Sequence, residues 1–216
     1  MLSGLFDNTK TDSLANKFRR KRFKLFLELI KDKPKPVTVL DIGGTEIFWK
    51  MMGLYDPGRI KVTIVNKAII NVTLPNFIFI QKDATDLSGI KDKEFDIVFS
   101  NSVIEHVGSF AEQKKMAEEI IRTGKSYFIQ TPNYYFPIEP HFIFPMFQFL
   151  PESIKILLIR NFNLGYHEKC KDRIKAKELV RSIRLLNKRE LVSLFPEFKI
   201  FKERFLFFTK SLILYK

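Results

Sequence analysis

VTVLDIGGTEIFWK, residues 37–50, is the stretch on which the fold turns. Val37–Ile42 is short, rich in β-branched residues and mostly apolar, as a strand covered on both faces should be. Gly43 and Gly44 then let the backbone turn sharply and approach a ligand with no Cβ in the way. Glu46–Leu54 reads as the helix that follows. Its first turn presents free N–H groups suited to a carboxylate or phosphate.

The same rhythm continues downstream. Lys61–Val65, Phe77–Ile80, Phe95–Phe99 and Ser126–Ile129 read as further strands, with a helix predicted over Phe110–Thr123. Strands alternating with helices specify an α/β fold, an open and mostly parallel sheet with helices on both faces. Two last strand-like runs, Phe198–Phe208 and Ser211–Tyr215, lie close enough to form a hairpin. Upstream, residues 13–32 form a helix capped by Asp12 or Ser13, with Leu14, Phe18, Leu25, Phe26 and Leu29 on one side. Lys17, Arg20, Lys21 and Lys24 fall on the other. Lys33-Pro34-Lys35-Pro36 acts as a stiff spacer.

Residues 131–151 break the pattern with five prolines and many aromatics, so a structured loop is expected, leading to a helix near Glu152–Arg160. Residues 166–186 read as a basic helix and Asn187–Phe195 as a capped one. The organisation is a single domain over 1–216. Residues 1–36 are an N-terminal basic amphipathic helix and linker, and 131–186 an insertion within the domain.

Composition narrows the class. The 216 residues include 37 Lys and Arg against 24 Asp and Glu, a net charge of +13. Residues 155–216 alone carry 16 basic and 6 acidic groups. Such a balance admits nucleic acid or an anionic surface as a partner. Cys170 is the single cysteine. This excludes an internal disulfide and a cysteine-rich zinc site and points to a reducing, cytoplasmic setting. No apolar run reaches the ~18 residues of a transmembrane segment, and MLSGLFDNTK lacks a secretory core.

In an open parallel sheet, ligands bind beyond the carboxyl ends of the strands. NAD is argued against, because a Gly-x-Gly-x-x-Gly fingerprint begun at Gly43 would place Thr45 and Phe48 at its later glycines. Gly53–Arg59 has the outline of a phosphate loop but precedes a strand, and reads as a turn.

VLDIGG after strand one, KDATDL after strand three, FDIVFSNSVIEHV through strand four and FIQTPN after strand five come in a telling order. Together they resemble the class I S-adenosylmethionine-dependent methyltransferases. The resemblance runs from about Val37 to Lys216 and implies a Rossmann-like seven-stranded sheet with an antiparallel C-terminal hairpin. The stretch TPNYYFPIEPHFIFPMFQFLP is further similar to bacterial enzymes of surface-polysaccharide and other small-molecule pathways.

By this resemblance Asp41, Gly43 and Gly44 hold the methionine end of the cofactor S-adenosyl-L-methionine. Asp83, followed by Ala84, meets the adenine amino group. Asn101 and Ser102 line the methyl-donor side. Two departures stand out. Thr45 and Ile47 replace the later glycines of the loop, with Thr45 kept in the cofactor-binding set. Asn66 replaces the acidic residue that grips the ribose, and a neutral partner binds more weakly than a charged one.

On the acceptor side, His141 is the candidate base, with Glu139 orienting it or binding substrate, and His106 is the alternative base. The aromatics Tyr134, Tyr135, Phe136, Phe142, Phe144, Phe147 and Phe149 form either a lid or satellite core, and Trp49 reads as core. Tyr166 and His167 sit in the basic insert, where their spacing does not by itself place them at the acceptor. No His, Asp and Glu set has metal-ligand spacing, so a metal-free site is expected. The leading expectation is methyl transfer to a small-molecule or saccharide acceptor at oxygen. An RNA methyltransferase and a non-catalytic binding protein are the alternatives, and peripheral contact with an anionic membrane is a further reading of location.

Overall fold

The computed structural model describes residues 14–216, with side chains from Asn16 onward. The two candidate caps, Asp12 and Ser13, and the Leu14 side chain lie outside the described residues.

Five strands run parallel: β1 (Val37–Ile42), β2 (Ile60–Asn66), β3 (Phe77–Gln81), β4 (Ile97–Asn101) and β5 (Tyr127–Pro132). After β5, β6 (Ile138–Glu139) and β7 (Phe144–Pro145) pair only with each other, in a small separate hairpin. The last two, β8 (Lys199–Phe205) and β9 (Phe208–Tyr215), form the closing hairpin, and β9 pairs antiparallel with β5. The main sheet has the order β3-β2-β1-β4-β5-β9-β8. The seven-stranded, mostly parallel sheet with an antiparallel C-terminal hairpin is therefore borne out.

Alternation along the strands separates two apolar layers. Val37, Val39, Val62, Phe99, Phe128 and Ile213 share one face, which packs against α1 (Leu14–Ile30) and α2 (Glu46–Met52). Leu40, Ile42, Val98, Ile129, Leu212 and Leu214 face the other way, against α3 (Phe110–Thr123) and α6 (Lys188–Leu194). The apolar side of α1 is carried by Phe23, Phe26 and Ile30, which are buried, while Leu25 and Leu29 are only partly covered. Lys17, Arg20, Lys21 and Lys24 are exposed, as the helical period predicts.

Local chemistry sets the element ends. Gly53 takes up φ 72° and stops α2 at Met52, short of the expected end at Leu54. A capping box between Ser109 and Glu112 starts α3 at Phe110, as expected. Phe95 makes only an isolated bridge to Gly124, so β4 starts at Ile97 rather than Phe95.

The β6-β7 hairpin leads into a 3-10 turn at Phe147–Phe149 and then α4 (Glu152–Asn161). Phe142 and Phe147 are buried with Ile159, Leu164 and Ala176 in a satellite core. Tyr135 and Phe149 are exposed, so the aromatics divide between core and surface. The long basic helix expected over 166–186 is reduced to α5 (Arg173–Arg181). Asp172 caps it by accepting from the amides of Ile174 and Lys175, and Leu164 and His167 are engaged in a turn.

One buried ion pair ties α1 to the final hairpin. Arg22 Nε donates to Glu203 Oε1 at 3.2 Å, and Ser211 Oγ donates to Glu203 Oε2 at 2.7 Å. Removing one member of such a pair leaves an uncompensated charge out of water. Glu203→Gln should therefore lower stability by about 3–5 kcal/mol, read from the midpoint of urea unfolding.

Candidate active site

Strand order reverses between β1 and β4, so their carboxyl ends open a crevice. Asp41 lies at the end of β1 and is buried. Its Oδ2 accepts a 2.7 Å hydrogen bond from Trp49 Nε1. Burial pushes the Asp41 carboxyl up to about 7, against the opposing pull of the indole N–H. A Cβ on Gly44 would overlap that same oxygen, so only glycine lets the turn pass so close. Gly43 has φ +75°, and a Cβ there would meet Val103 at 2.6 Å.

Two cavities flank this turn. One of about 170 Å³ is bordered by Asp41, Gly43, Gly44, Thr45 and Asn101, together with Arg19 from α1. The other, about 250 Å³, is bordered by Gly43, Asn66, Ala84, Ser102 and His106. Thr45 also caps α2 by accepting from the Phe48 amide. Asn66 is engaged on both sides: Oδ1 accepts from the Ala68 amide and Nδ2 donates to the Gly44 carbonyl. Asp83 borders neither cavity among the described lining residues. Lys67 pairs with it at 2.7 Å, and the Thr85 amide and hydroxyl both donate to it, holding its carboxyl below the ordinary range despite partial burial.

A third cavity, about 380 Å³, lies beyond β4 and β5. Asn101, Ser102, His106 and His141 border it, and so does Tyr166. Glu139 stands behind His141. Its Oε1 meets His141 Nδ1 at 2.6 Å, and its Oε2 accepts from the amides of His141 and Phe142. His141 and His106 meet at 3.1 Å through their Nε2 atoms. Burial and the neighbouring His141 push His106 down to about 4. Burial opposes charge on His141 as well, yet Glu139 holds its pKa above the ordinary value. His167 packs its ring on Phe142 instead.

Folding thus joins all three candidate acceptor-side residues. It also adds Glu105, which sequence reasoning does not single out although it precedes His106. Glu105 is fully buried, and burial pushes its carboxyl up to about 7. The expectation of a metal-free site rests on sequence spacing. In space, Glu105, His106 and His141 bring one ligand atom each within 4.8 Å of one another. Arg19, Arg22, Gln130 and Lys210 also border the third cavity. The arginines carry no local signal beyond their place on an amphipathic helix.

Residues 54–127 match the family model described as a methyltransferase domain. The chain has a class I methyltransferase fold. Magnesium protoporphyrin IX methyltransferase from Synechocystis, solved with bound SAH, has a similar structure: TM-score 0.54, 11% identity, covering 99% of this chain and 91% of that one. A SAM-dependent methyltransferase from Methanosarcina mazei gives a TM-score of 0.50 at 14% identity, over 87% of this chain and 95% of that one. An uncharacterized protein of Mycobacterium tuberculosis is 43% identical over 58 residues, 27% of this chain. The match spans 20% of that relative's length. Among the described residues no helix is long and apolar enough to cross a membrane.

Within this methyltransferase fold the state of Asp41 is testable. At Asp41 the folded protein keeps a proton that the unfolded chain releases near pH 4, so this group's contribution to stability falls as pH rises from about 4 to 7. Asp41→Asn can still accept from Trp49 and has no proton to lose. Relative to the parent, its melting temperature should lose the fall with rising pH that Asp41 contributes across that window, while in both proteins Glu105 contributes a fall and His106 a rise.

Proposed function

We propose that the protein is an S-adenosylmethionine-dependent methyltransferase acting on a small molecule, saccharides included, at oxygen. The observation that carries this reading is the shared wall between cavities. Ser102 and His106 border both the 250 Å³ and the 380 Å³ cavities, and Arg19 and Asn101 border both the 170 Å³ and the 380 Å³ ones. A donor beside the glycine turn therefore faces an acceptor beside the histidines.

The residues present fit the cofactor best at its amino-acid end. Gly43 and Gly44 leave the turn free of side chains, and the Arg19 guanidinium suits a carboxylate. Asn66 and Ala84 border the space for the nucleoside. When bound, S-adenosylmethionine supplies an electrophilic methyl group on a sulfonium. The chain's own task is then to align the acceptor, exclude water and receive a proton.

His141 is placed for the proton at Nε2, since Glu139 fixes its Nδ1 and stabilises the charged ring. Ile138, Pro140 and Ile143 give the acceptor cavity an apolar wall.

Calorimetric titration with S-adenosylmethionine and S-adenosylhomocysteine, with NAD as control, tests the cofactor. Micromolar binding of both sulfur compounds and none of NAD is expected. Arg19→Gln should weaken both by about tenfold or more, the worth of one charged hydrogen bond. Absence of binding to either compound would overturn the reading.

A further inference from the structure

The Nε2 atoms of His106 and His141 face each other at 3.1 Å, with the rings nearly perpendicular at 88°. The opposite side of the His141 ring is occupied by Glu139 through Nδ1. The Ser182 main chain lies beside the His106 ring. With the proton of each ring on Nδ1, two neutral imidazoles so arranged point lone pairs at one another, unless something positive lies between.

A third acceptor joins them. Glu105 is fully buried, and its Oε2 accepts from Thr131 Oγ1 at 2.8 Å. Its Oε1 is buried too and has no hydrogen-bond partner among the described residues. An orphaned buried carboxylate oxygen costs stability and calls for an explanation. One proton can bridge a single pair of these three acceptors. A divalent cation can satisfy all three.

We infer that Glu105, His106 and His141 form a divalent-metal site. Two imidazoles and one carboxylate suit a borderline ion such as Zn²⁺, whereas Mg²⁺ and Ca²⁺ favour all-oxygen sets. Ligand atoms about 2.0–2.2 Å from a tetrahedral zinc lie roughly 3.4 Å from one another, so the two Nε2 atoms at 3.1 Å are already spaced for it and Glu105 has to move in by about 1 Å. Glu139 is then the outer carboxylate that orients a ligating histidine. Three protein ligands leave an open position on the side of the 380 Å³ cavity. An acceptor hydroxyl would occupy it and release its proton to solvent in the cavity, the ion taking over the activation that a metal-free His141 Nε2 would give; that role rests on the methyl-transfer reading, while metal binding itself does not.

The test is titration of chelator-treated protein with Zn²⁺ and, separately, Mg²⁺, by calorimetry. One Zn²⁺ per chain is expected, with Mg²⁺ far weaker. His106→Gln and Glu105→Gln should abolish binding, and Glu139→Gln should weaken it about 10–100-fold. Cys170→Ser should change nothing. Far-ultraviolet circular dichroism checks that each variant folds. Should a variant fail, the visible spectrum of the Co²⁺-loaded parent reports nitrogen and oxygen ligation directly. No stoichiometric Zn²⁺, or binding indifferent to His106→Gln, would overturn the site. Titration with S-adenosylhomocysteine separates the two readings. Cofactor binding without Zn²⁺ binding defeats the metal site alone, and Zn²⁺ binding without cofactor binding defeats the methyl-transfer reading alone.

Discussion

The hydrogen bond from Trp49 to Asp41 sets the geometry of the cofactor side. The indole is packed against Phe23, Phe26, Phe48 and Phe99, with ring centroids 5.3–5.8 Å away. Its one polar atom is aimed at the end of β1. Apolar packing alone tolerates rearrangement, whereas a directional bond in a low-dielectric interior does not. The carboxylate is in turn pressed against Gly44. The end of β1, the turn, α2 and the underside of α1 are thereby registered on one buried pair of atoms.

A second polar knot has the same effect at the acceptor side. Arg22 reaches from α1 to Glu203 on β8 and to Asn101 at the end of β4. Glu139 uses both oxygens to hold the backbone and ring of His141. Arg22 draws its partners from elements distant in sequence, while Glu139 acts within one loop. Both sit at the carboxyl edge of the parallel strands.

That difference in range explains what can be read from the sequence. The β1-turn-α2 unit is local: its period, its two glycines and its cap all lie within residues 37–53. The Glu139 and His141 pair is legible because the two stand close together in a proline-rich loop. Glu105 is not, because its significance comes from His141, far down the chain. Arg22 sits on a helix whose period marks a solvated basic side, and its partner Glu203 is 181 residues away. The helix expected over 166–186 is too long because basic composition says nothing about where Asp172 caps it.

Strand β9 lies between β5 and β8, although it is the last described element of the chain. During synthesis β5, buried along its whole length in the finished fold, waits with an open edge until residues 208–215 emerge. An apolar strand with an unpaired edge is the kind of surface that recruits chaperones or misassembles. Lys210 and Ser211, which border the acceptor cavity, arrive on that same late strand. Residues 208–215 thus supply both the partner of the β5 edge and part of the wall of the acceptor chamber.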